Sequence, residues 1–183
     1  MTLSALGIFS AAGAGGVVAG AYELIETQVL ASAQASVVFS SLGTYSATYK
    51  HLQIRATHLS SGAGAVDLLM RLNADTGSNY NNHALVGNGS AVSSIAGTST
   101  SSMRIGFVAG GQFGASITDI LDAYSTTKNK TSRTLVGAIA DVNEIQLASA
   151  AWRNTASITS ITLLPSAGNI ATGSRFSLYG IRG

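Results

Sequence analysis

From Tyr22 onward, apolar and polar residues alternate with a period of two rather than 3.6, the spacing of strands. YKHLQIRATH (49–58) sets Leu52, Ile54 and Ala56 on one face, and His51, Gln53, Arg55 and Thr57 on the other. VDLLMRLN (66–73) turns Val66, Leu68, Met70 and Leu72 inward, with Asp67 and Arg71 outward. SITSITLL (157–164), RFSLYGI (175–181), MRIGFVAG (103–110), SITDILDAY (116–124) and TLVGAIAD (134–141) repeat the pattern, with β-branched and aromatic enrichment. SSGAG, NADTGSN, GNGS, STTKNK and PSAGN separate these runs as turns. EIQLASAAWRNTAS (144–157) is the best helix candidate, but its alternation favours a strand and then a turn. SSIAGTSTSS (93–102) reads as a mobile loop or an edge strand. Short strands at this spacing predict an all-β, antiparallel sandwich of jelly-roll type over residues 22–183. Leu52, Ile54, Leu68, Met70, Leu72, Trp152 and Leu178 are its expected core. The single proline fits, because proline removes a ladder donor.

The pattern fails before Tyr22. Residues 3–22 carry no charge and include five glycines. A signal peptide wants a basic leading region, yet the first basic residue is Lys50. A membrane helix wants bulky aliphatics, and five glycines cost such a helix about 5 kcal/mol relative to alanine. The segment therefore reads as an extended attachment arm (1–21) ordered by partner chains, with Leu3, Leu6, Ile8 and Phe9 as its apolar anchor.

Composition narrows the class. At 183 residues the chain is one ordinary domain with enough surface to bury a core. Charged residues are 10%, against about 25% in typical domains. The polar surface is therefore built from Ser, Thr, Asn, Gln and Gly, which suits an extracellular or virion protein. A net charge of +2 without basic runs argues against a nucleic-acid partner. The absence of cysteine excludes disulfides and thiolate metal sites.

The chemistry on offer is thin. His51 and His58 fall on opposite faces of one strand, so within one chain they share no metal. His83 stands beside a turn. The eight acids are scattered, and Asp119 and Asp122 project to opposite faces of their strand, so no glycosidase-like carboxylate pair is evident. No Gly-x-Ser-x-Gly elbow occurs. NADTGSN (73–79) lacks the acids of a calcium loop and reads as a set of Asx-turns. No cofactor or metal is expected. Asn79, Tyr80, Asn81, Asn82 and His83 form the expected exposed, receptor-facing patch, because Tyr and Asn supply contact area and adaptable hydrogen bonds.

Six blocks stand in order: YKHLQIRA, RLNADTGSNY, HALVGNGSAVSS, DILDAYSTTKNKT, WRNTASITSITLLP and the terminal GSRFSLYGIRG. Their succession resembles a group of small bacteriophage virion structural proteins of tail-fibre, adhesin or capsid-decoration type, over residues 22–183. The resemblance implies a non-enzymatic virion protein and carries no catalytic residue. The opening segment is similar to the attachment arm of such proteins. The expected role is host adhesion from a tail fibre or attachment spike. Capsid cement is the alternative, and a carbohydrate-active depolymerase the more distant one. A homotrimer is expected, since closed symmetry repeats sites and gains avidity. The expected partners are other virion proteins through the arm and a host surface glycan or protein, with no nucleic acid and no membrane span.

Overall fold

The computed structural model describes residues 20–138 and 143–183. The arm anchors Leu3, Leu6, Ile8 and Phe9 lie outside the described residues. The described chain forms β1 (Tyr22–Val29), β2 (Val37–Phe39), β3 (His51–His58), β4 (Val66–Leu72), β5 (Tyr80–Gly87) and β6 (Val92–Thr100). It continues with β7 (Met103–Val108), β8 (Gly114–Leu121), β9 (Lys130–Ala138), β10 (Glu144–Trp152), β11 (Ile161–Pro165) and β12 (Arg175–Ile181). One short 3-10 turn, Leu42–Tyr45, is the described helical element.

Two antiparallel sheets result. The larger has the order β1-β12-β3-β8-β9-β10-β5-β6, the smaller β2-β11-β4-β7. The chain alternates between them: β1 to β2, β3 to β4, β7 to β8, β11 to β12. The order β1-β12-β3-β8 facing β2-β11-β4-β7 is that of an eight-stranded jelly roll. The remaining strands are two inserted hairpins, β5–β6 and β9–β10. They pair with each other through β10 and β5, and widen the large sheet beyond β8. The expected all-β jelly-roll sandwich is the observed fold. Of the two readings for 93–102, the edge strand is correct: β6 closes one side of the large sheet.

The main core lies between the eight jelly-roll strands and takes in Tyr80 and Trp152 from the inserted hairpins. Leu52, Ile54, Leu68, Met70, Leu72, Trp152 and Leu178 are all buried, as the alternation predicts. Removing apolar surface of this kind from water contributes about 25 cal/mol per Å². Beyond β8 the small sheet reaches the insertion chiefly through β7, which lies against β9, β10 and β5. Gly106 on β7 makes that approach close. Its φ is +137°, and a Cβ there would stand 2.6 Å from Val136 Cγ1, so neither its backbone nor its neighbour tolerates a side chain. Arg104 completes the seam from β7. Its guanidinium donates to Asp67 Oδ1 (2.7 Å) and to Gln146 Oε1 (2.9 Å).

Candidate functional site

The expected recognition patch begins β5, and most of it is structural. Tyr80 is buried rather than receptor-facing. The strand pleat turns its ring toward Trp152, with centroids 6.3 Å apart. Burial pushes its hydroxyl up to about 12. That hydroxyl donates to the Asp75 carbonyl (3.1 Å) and accepts from the Leu72 N–H (3.2 Å). The neighbouring Asn side chains are engaged as well. Asn79 donates to Asp75 Oδ2 (2.9 Å), Asn81 accepts the Ser99 N–H (3.0 Å), and Asn82 accepts the Arg104 N–H (2.8 Å). Of the five residues, His83 alone is exposed. Hydrogen bonding that looks adaptable in the sequence is spent on holding β6, β7 and the 73–79 turn.

Asp75 is the hub of that turn. Its carboxylate accepts from Trp152 Nε1 (2.6 Å), Asn79 Nδ2 (2.9 Å) and the Gly77 N–H (2.7 Å). The Trp152 bond, then the Asn79 bond, hold its carboxyl below the usual carboxylate range. The Asp75–Gly77 bond is an Asx-turn, as NADTGSN predicts. Asn73 and Ala74, at φ +53° and +54°, supply the left-handed corner. Asn73 Oδ1 also accepts the Thr159 N–H (2.7 Å) and so ties the turn to the approach to β11.

The remaining titratable groups are similarly occupied. His58 faces the core and His51 the opposite side, as expected. His58 Nε2 meets Ser116 Oγ at 3.1 Å, while its Nδ1 is buried without a partner. Burial lowers its pKa to about 4, which keeps the ring neutral. His51 Nδ1 accepts the Asp122 N–H (2.8 Å). Asp119 lies on β8, bonded to Gln53 (2.7 Å). Asp122 has already left the strand and holds Lys128 (2.7 Å). The buried Lys130 amine donates to the Ser125, Lys128 and Thr155 carbonyls at 2.6–3.1 Å. Among the described residues no His, Cys, Asp and Glu group is placed to hold a metal ion. No described helix is long and apolar enough to cross a membrane.

The surface that stands out is the outer face of the large sheet. Register sets Ile117 opposite Leu135, Leu135 opposite Leu147, and Leu147 opposite Leu85. These four lie in a row across β8, β9, β10 and β5, with exposures of 45%, 51%, 58% and 55%. Ile145 adds 57% in the adjacent row. Beside this ridge runs a trough of about 590 Å³. Its floor is Ala115 and Gly137, opposite each other in register. Its far wall is Arg55, Arg175 and Tyr179. The Arg55 guanidinium carbon lies 5.0 Å from the Tyr179 ring centroid and 5.7 Å from that of Tyr22. Its Nε donates to Gln53 Oε1 at 2.8 Å. The aromatic rings and Gln53 fix the cation at the margin of an otherwise apolar surface.

Sequence reasoning missed this face. Its signal was present in the alternation of ITDIL and RTLVG, but alternation alone does not say which side is inside. Comparison of the chain with protein-family models, curated proteins and solved structures finds no match. The site is therefore read from its own geometry.

Proposed function

We propose that the chain is a non-enzymatic bacteriophage virion protein. In this reading it is displayed from a tail fibre or attachment spike, assembles as a homotrimer, and is anchored through residues 1–21. The observation that carries the reading is the widened jelly roll. Its inserted hairpins turn a row of large aliphatics to the outside, a surface suited to assembly rather than to turnover. Jelly rolls serve in viral capsids and in lectin domains, and fold alone chooses neither. The low charge and the ordered succession of sequence blocks supply the virion part of the reading. The non-enzymatic part is supported by the acids, because Asp67, Asp75, Asp119 and Asp122 all lie in hydrogen bonds or ion pairs that hold strands and turns.

Quantitative mass spectrometry of purified particles tests the proposal. The protein is expected in the virion at tens of copies or fewer. Hundreds of copies would move it from tail to capsid, and recovery only from the soluble lysate would overturn the virion reading. Deleting residues 1–20 is expected to leave the β-domain folded and to remove it from particles. Release of reducing sugar from host capsular polysaccharide by the purified protein would overturn the non-enzymatic reading.

A further inference from the structure

We infer that the outer edge of β6 receives residues 1–19 of a neighbouring copy as an added strand. The inference rests on the homotrimer of the proposed function and not on its virion setting. The first ground is the state of the sheet edges. Among the described residues the two sheets end in β1, β6, β2 and β7. An unpaired edge is a template for another strand, and proteins ordinarily blunt it with charge, a bulge, shortness or cover. β1 carries Glu23 and Glu26, with a register shift between Leu24 and Glu26. β2 has three residues. β7 is largely buried, and its Arg104 N–H is taken by Asn82 (2.8 Å). β6 is nine residues long, and the chain carries no Asp, Glu, Lys or Arg from Thr76 to Met103. Its segment from Val92 to Gly97 pairs with β5 in unbroken register, and Val92 to Ala96 are all exposed. None of the usual devices protects this stretch.

The second ground is the hydrogen-bond pattern. At the tip of the hairpin the Asn88 N–H donates to the Ala91 carbonyl (3.2 Å). Bonded pairs recur at every second residue of an antiparallel ladder. Ser93, Ile95 and Gly97 therefore bond to β5, while Ser94 and Ala96 turn their N–H and C=O groups outward. Strand addition draws its affinity from such main-chain groups. The small side chains of Ser94, Ala96 and Gly97 let a second backbone approach.

The third ground names the occupant. Residues 1–19 carry no charged side chain and no proline, so nothing in them bars a place in a ladder. Extended, they reach roughly 60 Å, and the nine residues of β6 need roughly 30 Å. They join the described chain at Gly20, beside β1, the first strand of the large sheet, whereas β6 is the last. Donor and acceptor thus stand at opposite edges, roughly 34 Å apart at about 4.8 Å per strand. An arm of one copy on the β6 of the next is a head-to-tail contact, and such contacts close into rings. A ring accommodates three copies, which two β6 edges paired about a two-fold axis do not.

Sedimentation equilibrium of the full-length chain between about 1 and 100 µM tests the contact. The chain is expected to be a trimer. Ser94→Lys with Ala96→Lys should give a monomer with an unchanged far-ultraviolet spectrum, a loss of self-affinity of at least tenfold. Val38→Lys, the same change at an exposed position of β2, should leave the trimer intact. A trimer that survives both lysines overturns this inference and leaves the homotrimer reading standing. A wild-type monomer at 100 µM overturns both, including the case in which each arm covers its own β6. Should the double variant fail to fold, crosslinking serves instead, because the chain has no cysteine of its own. Copies with Ala12→Cys are mixed with copies carrying Ala96→Cys and treated with a bis-maleimide. Arm-to-β6 crosslinks between the two kinds of copy are expected at least tenfold above those in a mixture of Ala12→Cys with Val38→Cys. Equal yields overturn the inference, and so does an excess of β6-to-β6 crosslinks.

Discussion

β3 and β10 belong to one sheet, three places apart, and they place their large aliphatics on opposite faces. β3 buries Leu52, Ile54, Ala56 and His58 and turns Arg55 and Thr57 outward. β10 buries Gln146, Ala148 and Ala150, reaches the main core with Trp152 at its end, and turns Ile145 and Leu147 outward. The difference follows from what covers them. β3 lies among the jelly-roll strands that enclose the main core. β10 lies beyond β8, where the small sheet reaches the insertion chiefly through β7. There two small separate clusters, Phe107 with Ala109, Val136 and Ala138, and Ala84 with Val86 and Ala148, fill the space between the layers, and the Arg104–Gln146 bond (2.9 Å) lies beside them. The same alternating pattern therefore serves an interior in one half of the sheet and an exterior surface in the other.

The sharpest test of the contrast removes bulk from each half. Leu68→Ala, in the enclosed core, is expected to cost about 2–5 kcal/mol in urea unfolding, since the cavity relaxes only partly. A loss below 1 kcal/mol would mean that the jelly-roll core is misassigned.

Acid separates the halves next. His58, buried on β3, has a pKa lowered to about 4 by burial, against about 6.5 in the unfolded chain. The unfolded state binds this proton first, so folding stability falls as pH drops from 6.5 to 4 and levels off below. The loss is about 3 kcal/mol. His58→Leu should flatten that segment of the pH–stability curve. An unchanged slope would place the ring in contact with water. Asp75 acts lower on the scale. Its depressed carboxyl contributes stability above the ordinary carboxylate pKa, lost as pH falls through its own.

The turn that carries the expected patch comes third. Asp75→Ala removes the acceptor shared by Trp152, Asn79 and Gly77, and should cost about 1–3 kcal/mol by leaving the N–H of the buried Trp152 unpaired. If receptor binding falls while thermal stability holds, the turn is a recognition loop after all.

The smallest effect belongs to the outer ridge. Leu135→Ala should change the stability of the dissociated protomer by at most about 0.5 kcal/mol, as surface substitutions do. Denaturant curves across a concentration series check this. A large loss in dilute protein would mean that Leu135 is part of the protomer's own core.

The fold was legible because period-two patterning and turn chemistry are local. Val66–Leu72 could alternate only as a strand, and NADTGSN could close only as a turn, whatever lay around them. Tyr80 was misread for the opposite reason. Its neighbours Asn79, Asn81 and Asn82 look solvent-seeking in sequence, yet each finds a partner brought from elsewhere in the chain or from across the turn: Asp75, Ser99 and Arg104. Burial of an amide is acceptable once such partners exist.

By itself the sequence determined the class of element, the turns and the inward residues wherever the inner face is the aliphatic one. Tertiary structure alone decided where the hairpins β5–β6 and β9–β10 attach, and therefore which face of β8, β9, β10 and β5 lies outside. The physical reason is that a strand's two faces are equivalent to its own backbone. Inside and outside are assigned by whatever second layer arrives, and across this half of the sheet the layer brought by the chain itself is chiefly one strand, β7.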